Sequence, residues 1–569
     1  VKESRPLLAI LLIMAIALVP GFFLKRPQPV APVVDSTANL IETLPDSTPA
    51  VSAQAGLDTA AIVDQPLVDD TVVVRSGLYE YRFSTRGARL IGASFLRYRS
   101  MNPADTANGE RQILELLPRG ESMLDNRILV GNDTVRFDAY QFTASADEVA
   151  VDNDGATLTF TGNVAGRAVT IVYTFRANDY RFDIAGRIGG IGINGGTLLI
   201  GLGNGFRDTE TNIAENHRES GLVTKQSDTD LTRFGSLDPL TRTVIPGPFE
   251  WVAVKSKYFV AGLFSYDTTR TDLAGRIGAV IADVEDTLPR KPIRARTAVS
   301  LPVAAEGEWA GTMYLGPMEY DRLTAMGREF DDVNPYGWPG FRTIIRPFAV
   351  AIRAVFVWMH HTLGLGYGMA IVVFGVLIRL LLWPLNQKAM RSMTAMQAIQ
   401  PQLQALQQRY KQDPPRLQQE MLKLYREHNV NPFGGCWPML LPYPVLVAVF
   451  FVLQNTIELR GVPFLWMPDL SRPDPLFIIP VFMALSMYAM MKLGQRGMPP
   501  NPQARMMAYV MPVVMGVLFL NFASGLNLYY AVQNIAALPQ QLMIMREREK
   551  LNLARNAPII GTRNDTKKK

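Results

Sequence analysis

Five apolar segments, at roughly 366–383, 433–453, 476–491, 506–522 and 523–545, crowd the C-terminal part of this 569-residue chain. Each approaches the ~20 residues that a helix needs to cross about 30 Å of hydrocarbon. A backbone in lipid must satisfy its own hydrogen bonds, so such segments fold as helices. The pattern predicts a five-helix bundle over 365–545, its last two members joined by a tight Ala523-Ser524-Gly525 turn. Averaged over the whole chain, hydropathy is close to zero. The average conceals a division, because residues 30–340 read as an ordinary water-soluble protein, and only windowed hydropathy separates the two.

A sixth apolar run, Leu7 to Leu24, has 18 residues and is flanked by Lys2, Arg5, Lys25 and Arg26. It is just long enough to span a bilayer. A cleaved signal peptide would place a small-x-small site after the run. The candidate here, Ala15-Ile16-Ala17, lies inside it, so residues 1–26 are expected to form a retained anchor. Residues 27–70 contain seven acidic residues and no Lys or Arg. Such a stretch buries too little apolar surface to offset its chain entropy and reads as a flexible linker.

From 71 to 335 the pattern changes to short alternating runs such as Thr71–Arg75, Leu78–Ser84, Thr157–Thr161, Ala168–Phe175 and Tyr180–Ile184, separated by Gly, Asn and Asp clusters. Period-two segments with such turns predict antiparallel β structure, and this length suggests a large sandwich. Gly190, Gly192 and Gly195 have the spacing of a dinucleotide fingerprint. No helical pattern follows them, so a glycine-rich turn is expected. Cys436 is the only cysteine, which excludes an intrachain disulfide, and the four histidines are too scattered to suggest a metal site.

Residues 336–364 read as an amphipathic helix lying on a membrane surface, with Arg342, Arg346 and Arg353 on one face. Between the first two core spans, residues 386–433 show helical periodicity broken at Asp413-Pro414-Pro415, which predicts a helical hairpin. The net charge of +6 matters less than its placement. The hairpin, the 492–505 loop and the 546–569 tail carry 18 Lys and Arg, against Arg460 and Arg472 in the alternate loops. Basic loops stay in the cytoplasm. Both termini are therefore expected inside and the β domain outside.

Arg379 stands inside the first core span, about 7–8 Å from its end at Pro384. A charge near a helix centre costs about 2.5–3.5 kcal/mol on insertion scales, so it is either placed to snorkel or functional. The last span carries Asn527, Tyr529, Tyr530, Gln533 and Asn534, which are also poorly suited to face lipid. These groups and Arg379 are expected to line one wet cavity open to the cytoplasm. No acid in the five spans neutralises Arg379, an arrangement suited to attracting an acid from another molecule. The membrane part shows no nucleophile–base pair, metal constellation or phosphate loop, so no enzymatic activity and no cofactor are expected.

Several ordered motifs carry a family resemblance. They are Leu424-Tyr425-Arg426 with Val430-Asn431-Pro432-Phe433-Gly434-Gly435-Cys436-Trp437-Pro438, Phe522 to Tyr530, and Arg379 with Trp383-Pro384-Leu385 ahead of Ile399-Gln400-Pro401. In these the chain resembles the YidC family of membrane protein insertases, densely over 336–550. The resemblance is fainter in the β domain, through Ser84 to Ala88, Trp251 to Val254, and Tyr258-Phe259. It implies the Gram-negative form: a polytopic α-helical inner-membrane protein, with an N-terminal anchor, a five-helix core and a periplasmic all-β supersandwich. It also implies that Arg379 projects into a hydrophilic groove whose wall includes Tyr530. The sequence departs from the family pattern at Pro442, where glutamine is common, and at Ala523, where proline is common.

The resulting expectation is an insertase and chaperone for hydrophobic segments, acting alone or beside the Sec translocon. Its groove would be formed by Arg379, Tyr530, Asn527, Asn534 and Gln533. Met390, Met393 and Met396, at three-residue spacing in the hairpin, offer adaptable apolar contacts to substrates. Expected partners are nascent membrane proteins, the Sec translocon, membrane lipids and, through the basic tail, the ribosome. Two other classes compete. A secondary transporter would show an intramembrane acid, which is missing here. A carbohydrate-active β domain would need an acid/base constellation, and none is evident around its one histidine, His217.

Overall fold

The structure, a computed structural model, describes residues 69–107, 110–130, 133–191, 195–265, 277–284, 293–303, 305–337, 340–388, 392, 399–428, 443–496 and 502–556. The anchor at 1–26, nearly all of the 27–70 linker, Cys436 with its motif, Pro442, the three hairpin methionines and the tail beyond 556 lie outside the described residues. The chain divides into two compact units, Val1–Val333 and Asn334–Lys569.

The first unit is β structure, as its alternation requires. A nine-stranded sheet contains, in spatial order, Trp251–Lys255, Phe259–Ser265, Glu308–Pro317, Arg181–Ile188, Arg167–Phe175 and Ala156–Val164. A six-stranded sheet is centred on Ile277–Asp283, Arg296–Val303 and Gly196–Gly203. A five-stranded sheet includes Thr71–Arg75, Tyr79–Ser84 and Arg89–Arg99. The core forms where inward residues of the five- and nine-stranded sheets meet. Tyr79, Tyr81 and Phe83 point at Phe175, Phe182, Tyr173 and Phe160 with ring centroids 4.8–6.5 Å apart. The buried Tyr81 hydroxyl donates to the Leu315 carbonyl at 2.7 Å, as a buried polar group must. Gly190 and Gly195 adopt φ of +69° and +68°, and a strand rather than a helix follows at Gly196; Gly192 lies outside the described residues.

Two short helices, α1 (Ile213–Glu219) and α2 (Tyr320–Ala325), complete the first unit. The second unit is helical: α3 (Arg342–Leu363), α4 (Tyr367–Leu381), α5 (Gln400–Arg409), α6 (Pro414–Glu427), α7 (Tyr443–Asn455), α8 (Ile478–Gln495), α9 (Pro502–Phe519) and α10 (Ser524–Asn556). Among the described residues only α3 and α8 are long and apolar enough to cross a bilayer by themselves; α4, α7 and Arg505–Phe519 are shorter apolar helices. The hairpin break falls where Asp413 caps α6, its carboxylate accepting from the Arg416 amide at 3.2 Å. The cap satisfies an amide that the helix start leaves open.

α3 is amphipathic, as its periodicity predicts. Its exposed face is apolar, with Phe341, Ile344, Phe348, Val355 and Trp358, and its arginine face turns toward the protein. Arg353 is buried at 6% exposure and pairs with Glu458 at 2.7 Å. Periodicity gives the angle between side chains on a helix but not which angle faces the partner. A charge this deep persists only if paired.

Helix directions follow from the contacts. Gln533 reaches the Gly375 carbonyl, and Gln540 reaches Arg379 and Trp383, so α4 and α10 run parallel. Asn534 meets Ser486, and Gly494 lies against Gln541, so α8 is parallel to α10 as well. α9 is antiparallel to α8, with Ala484 facing Gly516 and Tyr488 facing Tyr509. The 456–477 loop packs over the starts of α4 and α10. The Leu470 carbonyl accepts from the Gly525 amide at 2.9 Å and the Arg472 carbonyl from the Ser524 amide at 2.6 Å. A Cβ at Gly368 would sit 2.2 Å from the Phe464 ring, so only glycine admits that contact. Asp474, fully buried, accepts from the Ile479 amide at 2.7 Å and the Trp466 indole at 3.1 Å. It thereby anchors the loop to the positive start of α8.

Candidate functional site

α10 organises the polar groups of the bundle by its periodicity. Residues separated by seven fall on nearly the same angle of an α-helix. Tyr529, Gln533 and Gln540 therefore face α4, whereas Asn527 and Asn534 face α8 and α9. The Gln533 amide donates to the Gly375 carbonyl at 2.8 Å. One turn further along α4, Arg379 Nη2 donates to Gln540 Oε1 at 3.0 Å. Gln540 Nε2 in turn donates to the Trp383 carbonyl at 3.1 Å, just beyond the end of α4, where carbonyls lack intrahelical partners. Gly375 permits this seam, since a Cβ there would lie 2.9 Å from Val532.

Arg379 is half-buried. Its Nε is shielded from solvent and has no hydrogen-bond partner. No described carboxylate lies within ion-pair distance of it. Among the described residues its hydrogen-bonding companion is a neutral amide, so none of them compensates the positive charge. An uncompensated charge at this depth is costly and attracts any anion that can reach it.

The other expected residues have separate placements. Asn527 is fully buried, and its amide donates to the Phe519 carbonyl at 3.0 Å, capping the end of α9. The Asn534 amide donates to Ser486 Oγ at 3.1 Å, tying α10 to α8. Tyr530 is half-buried, its ring meeting Phe519 edge-on at 5.1 Å. The structure thus brings together Arg379 and Gln533 along one seam, and holds Asn527, Asn534 and Tyr530 on the opposite side of α10. Met390, Met393 and Met396 lie outside the described residues. Sequence reasoning missed Gln540, Arg379's partner. Its spacing of seven from Gln533 carried the signal.

Comparison with known proteins agrees with this architecture. Residues 71–351 match the family described as YidC periplasmic domain, and residues 358–551 match the one described as 60Kd inner membrane protein. The membrane protein insertase YidC of Chloroherpeton thalassium is 32% identical over 407 residues, 68% of this chain and 67% of that protein. That of Syntrophus aciditrophicus is 29% identical over 570 residues, 96% of this chain and 100% of that protein. A crystal structure described as active YidC insertase, with the first transmembrane domain resolved, is 19% identical. It covers 84% of this chain and 94% of its own at a TM-score of 0.32, a likeness too weak to argue from.

Proposed function

The chain belongs to the YidC family of membrane protein insertases, and on that premise we propose that Arg379 is the contact that receives the acidic, translocated end of a substrate. The protein is an inner-membrane insertase with a β-rich periplasmic domain and a C-terminal helical core, and it acts on nascent membrane proteins. The finer reading rests on one observation: Arg379 holds a positive charge at the α4–α10 seam, and among the described residues it is met only by a neutral glutamine. A hydrophilic groove there shortens the distance that a polar chain end must cross. The hydrophobic segment then leaves sideways into lipid, driven by burial of its apolar surface and by the membrane potential acting on its negative end. The hairpin and tail are cytoplasmic in this reading. The Sec translocon and the ribosome are partners, the latter held by salt-sensitive contacts of the basic tail.

The test uses the pure protein in liposomes with two matched single-span substrates, one with acids in its translocated tail and one without. A charge pair about 4 Å apart gains roughly 4 kcal/mol at an effective dielectric of 20, which desolvation reduces to a net of about 1–2 kcal/mol. Arg379→Ala should slow the acidic substrate about five- to thirty-fold and spare the neutral one. Arg379→Lys keeps the charge and should retain much of the activity, although it loses the planar fork. Equal loss for both tails would remove Arg379 from this role.

A further inference from the structure

α8 and α9 touch without closing along their length. They meet where Ala484 faces Gly516; a Cβ at Gly516 would stand 3.0 Å from that of Ala484. Around this point lies a hollow of about 400 Å³, walled by Pro480, Val481, Leu485, Pro512, Val513 and Val517. Val481, Leu485, Val513 and Val517 are each more than half exposed.

One end of the hollow differs. The Tyr488 and Tyr509 rings lie 5.5 Å apart there. Lys492 Nζ, one turn further on, donates to the Tyr509 hydroxyl at 3.3 Å and stands 5.4 Å from the centre of its ring. Arg505 is exposed and precedes Tyr509 by one turn on α9. Neither helix contains an acidic residue. The result is a carbon-lined slot with two cations and two hydroxyls at the end that the basic loops assign to the cytoplasm.

Size decides what fits. From Pro480 to Lys492 the slot runs about 18 Å at 1.5 Å per residue, close to one leaflet of about 15 Å. A transmembrane helix about 10 Å across would occupy at least ~1,400 Å³ over that length, more than the empty space of about 840 Å³ between the two helices. We propose that the α8–α9 slot is a binding site for one anionic phospholipid of the cytoplasmic leaflet, an acyl chain in the hollow and its phosphate at Lys492, Arg505 and the Tyr509 hydroxyl. The site depends on the inner-membrane placement and is independent of Arg379.

The full-length protein, delipidated in detergent, is titrated with phosphatidylglycerol and with phosphatidylcholine of equal chain length, and bound lipid is counted by native mass spectrometry. One tight equivalent of phosphatidylglycerol is expected, with phosphatidylcholine at least about tenfold weaker, since each cation near the headgroup contributes roughly fivefold. Lys492→Gln and Arg505→Gln should each weaken phosphatidylglycerol about fivefold and phosphatidylcholine, whose choline cation offsets its phosphate, by less. Arg496→Gln removes a charge from the same loop, outside the slot, and should change neither lipid. Val513→Trp fills the hollow and should displace the tight equivalent with every cation in place. Equal binding of the two lipids overturns the proposal. So does a loss from Arg496→Gln as large as that from Lys492→Gln. Displacement of the tight lipid by a neutral single-span peptide would give the slot to substrate and overturn it equally.

Discussion

Two buried lysines in the β domain show that single residues of one type can act with opposite sign. Lys257 pairs with Glu215 at 2.8 Å, both side chains being mostly buried at 8% and 14% exposure. Burial pulls the Lys257 ammonium down, but Tyr258 and Glu215 outweigh it and hold its pKa above the ordinary value. Lys255 is equally deep at 3% exposure, but its nearest carboxylate, Glu219, is 4.0 Å away and 39% exposed. Burial dominates there and lowers its pKa. Lys255→Met should therefore stabilise the protein by about 1 kcal/mol, and Lys257→Met should destabilise it by roughly 2–3 kcal/mol, because it strands Glu215. Thermal unfolding of the full chain, followed by hydrogen exchange in Trp251–Lys255, reads both. The pH dependence has a definite sign. Between Lys255's lowered folded value and its unfolded value near 10.4, the unfolded state holds more protons, so stability rises with pH. Below the folded value the full burial penalty applies, and above 10.4 it is gone. Lys255→Met should flatten that rise. At this scale the sequence singled out Arg379, because a charge inside an apolar run stands out, and the structure sets it on α4 beside Gln540. It put Arg353 on one face with Arg342 and Arg346 but gave no sign of its partner Glu458, since hydropathy does not say which side of a helix the protein covers.

At the scale of elements, glycines and caps control how the helices meet. Gly375→Leu would drive a side chain into Val532, 2.9 Å from the position of its Cβ, and separate α4 from α10. It should reduce insertion of acidic-tailed and neutral-tailed substrates alike, which distinguishes a lost seam from a lost charge in the same liposome assay. Asn527→Leu leaves the Phe519 carbonyl without its cap, a cost of about 1–3 kcal/mol for a stranded buried acceptor. The expected result is a lower melting temperature with the ratio of acidic to neutral insertion unchanged. The elements themselves were largely legible. The runs Thr157–Thr161 and Ala168–Phe175 sit inside the observed strands Ala156–Val164 and Arg167–Phe175, because inward side chains must alternate. Each of the five apolar segments overlaps one of the helices α4, α7, α8, α9 and α10. What the sequence did not convey was the partition of α10 into two faces. Polar residues at 527, 533 and 534 look like one cluster along the chain, but 100° per residue sends them to different neighbours.

For the whole molecule, topology is the strongest expectation, because it rests on the asymmetry of basic residues. With Cys436 replaced by serine, a cysteine at Asp147 should react with an impermeant reagent from outside intact cells, and one at Gln408 only after lysis. Outside labelling at Gln408 would invert the arrangement. The outer covering of the bundle has a further consequence. Phe464 packs against Gly368, and the Leu470 carbonyl accepts from the Gly525 amide, so the 456–477 loop covers the starts of α4 and α10. An open pore through an energised membrane would short-circuit the ion gradient whenever no client was present, and would require a gate to prevent it. A bundle covered in this way is expected to carry no such current. Proteoliposomes carrying this protein, or its Arg379→Ala variant, should hold a proton gradient as long as empty liposomes do. The gradient should collapse faster only when this cover is loosened, as by Leu470→Asp with Phe464→Ser. The resting protein can then stay in the membrane at any copy number without discharging the cell.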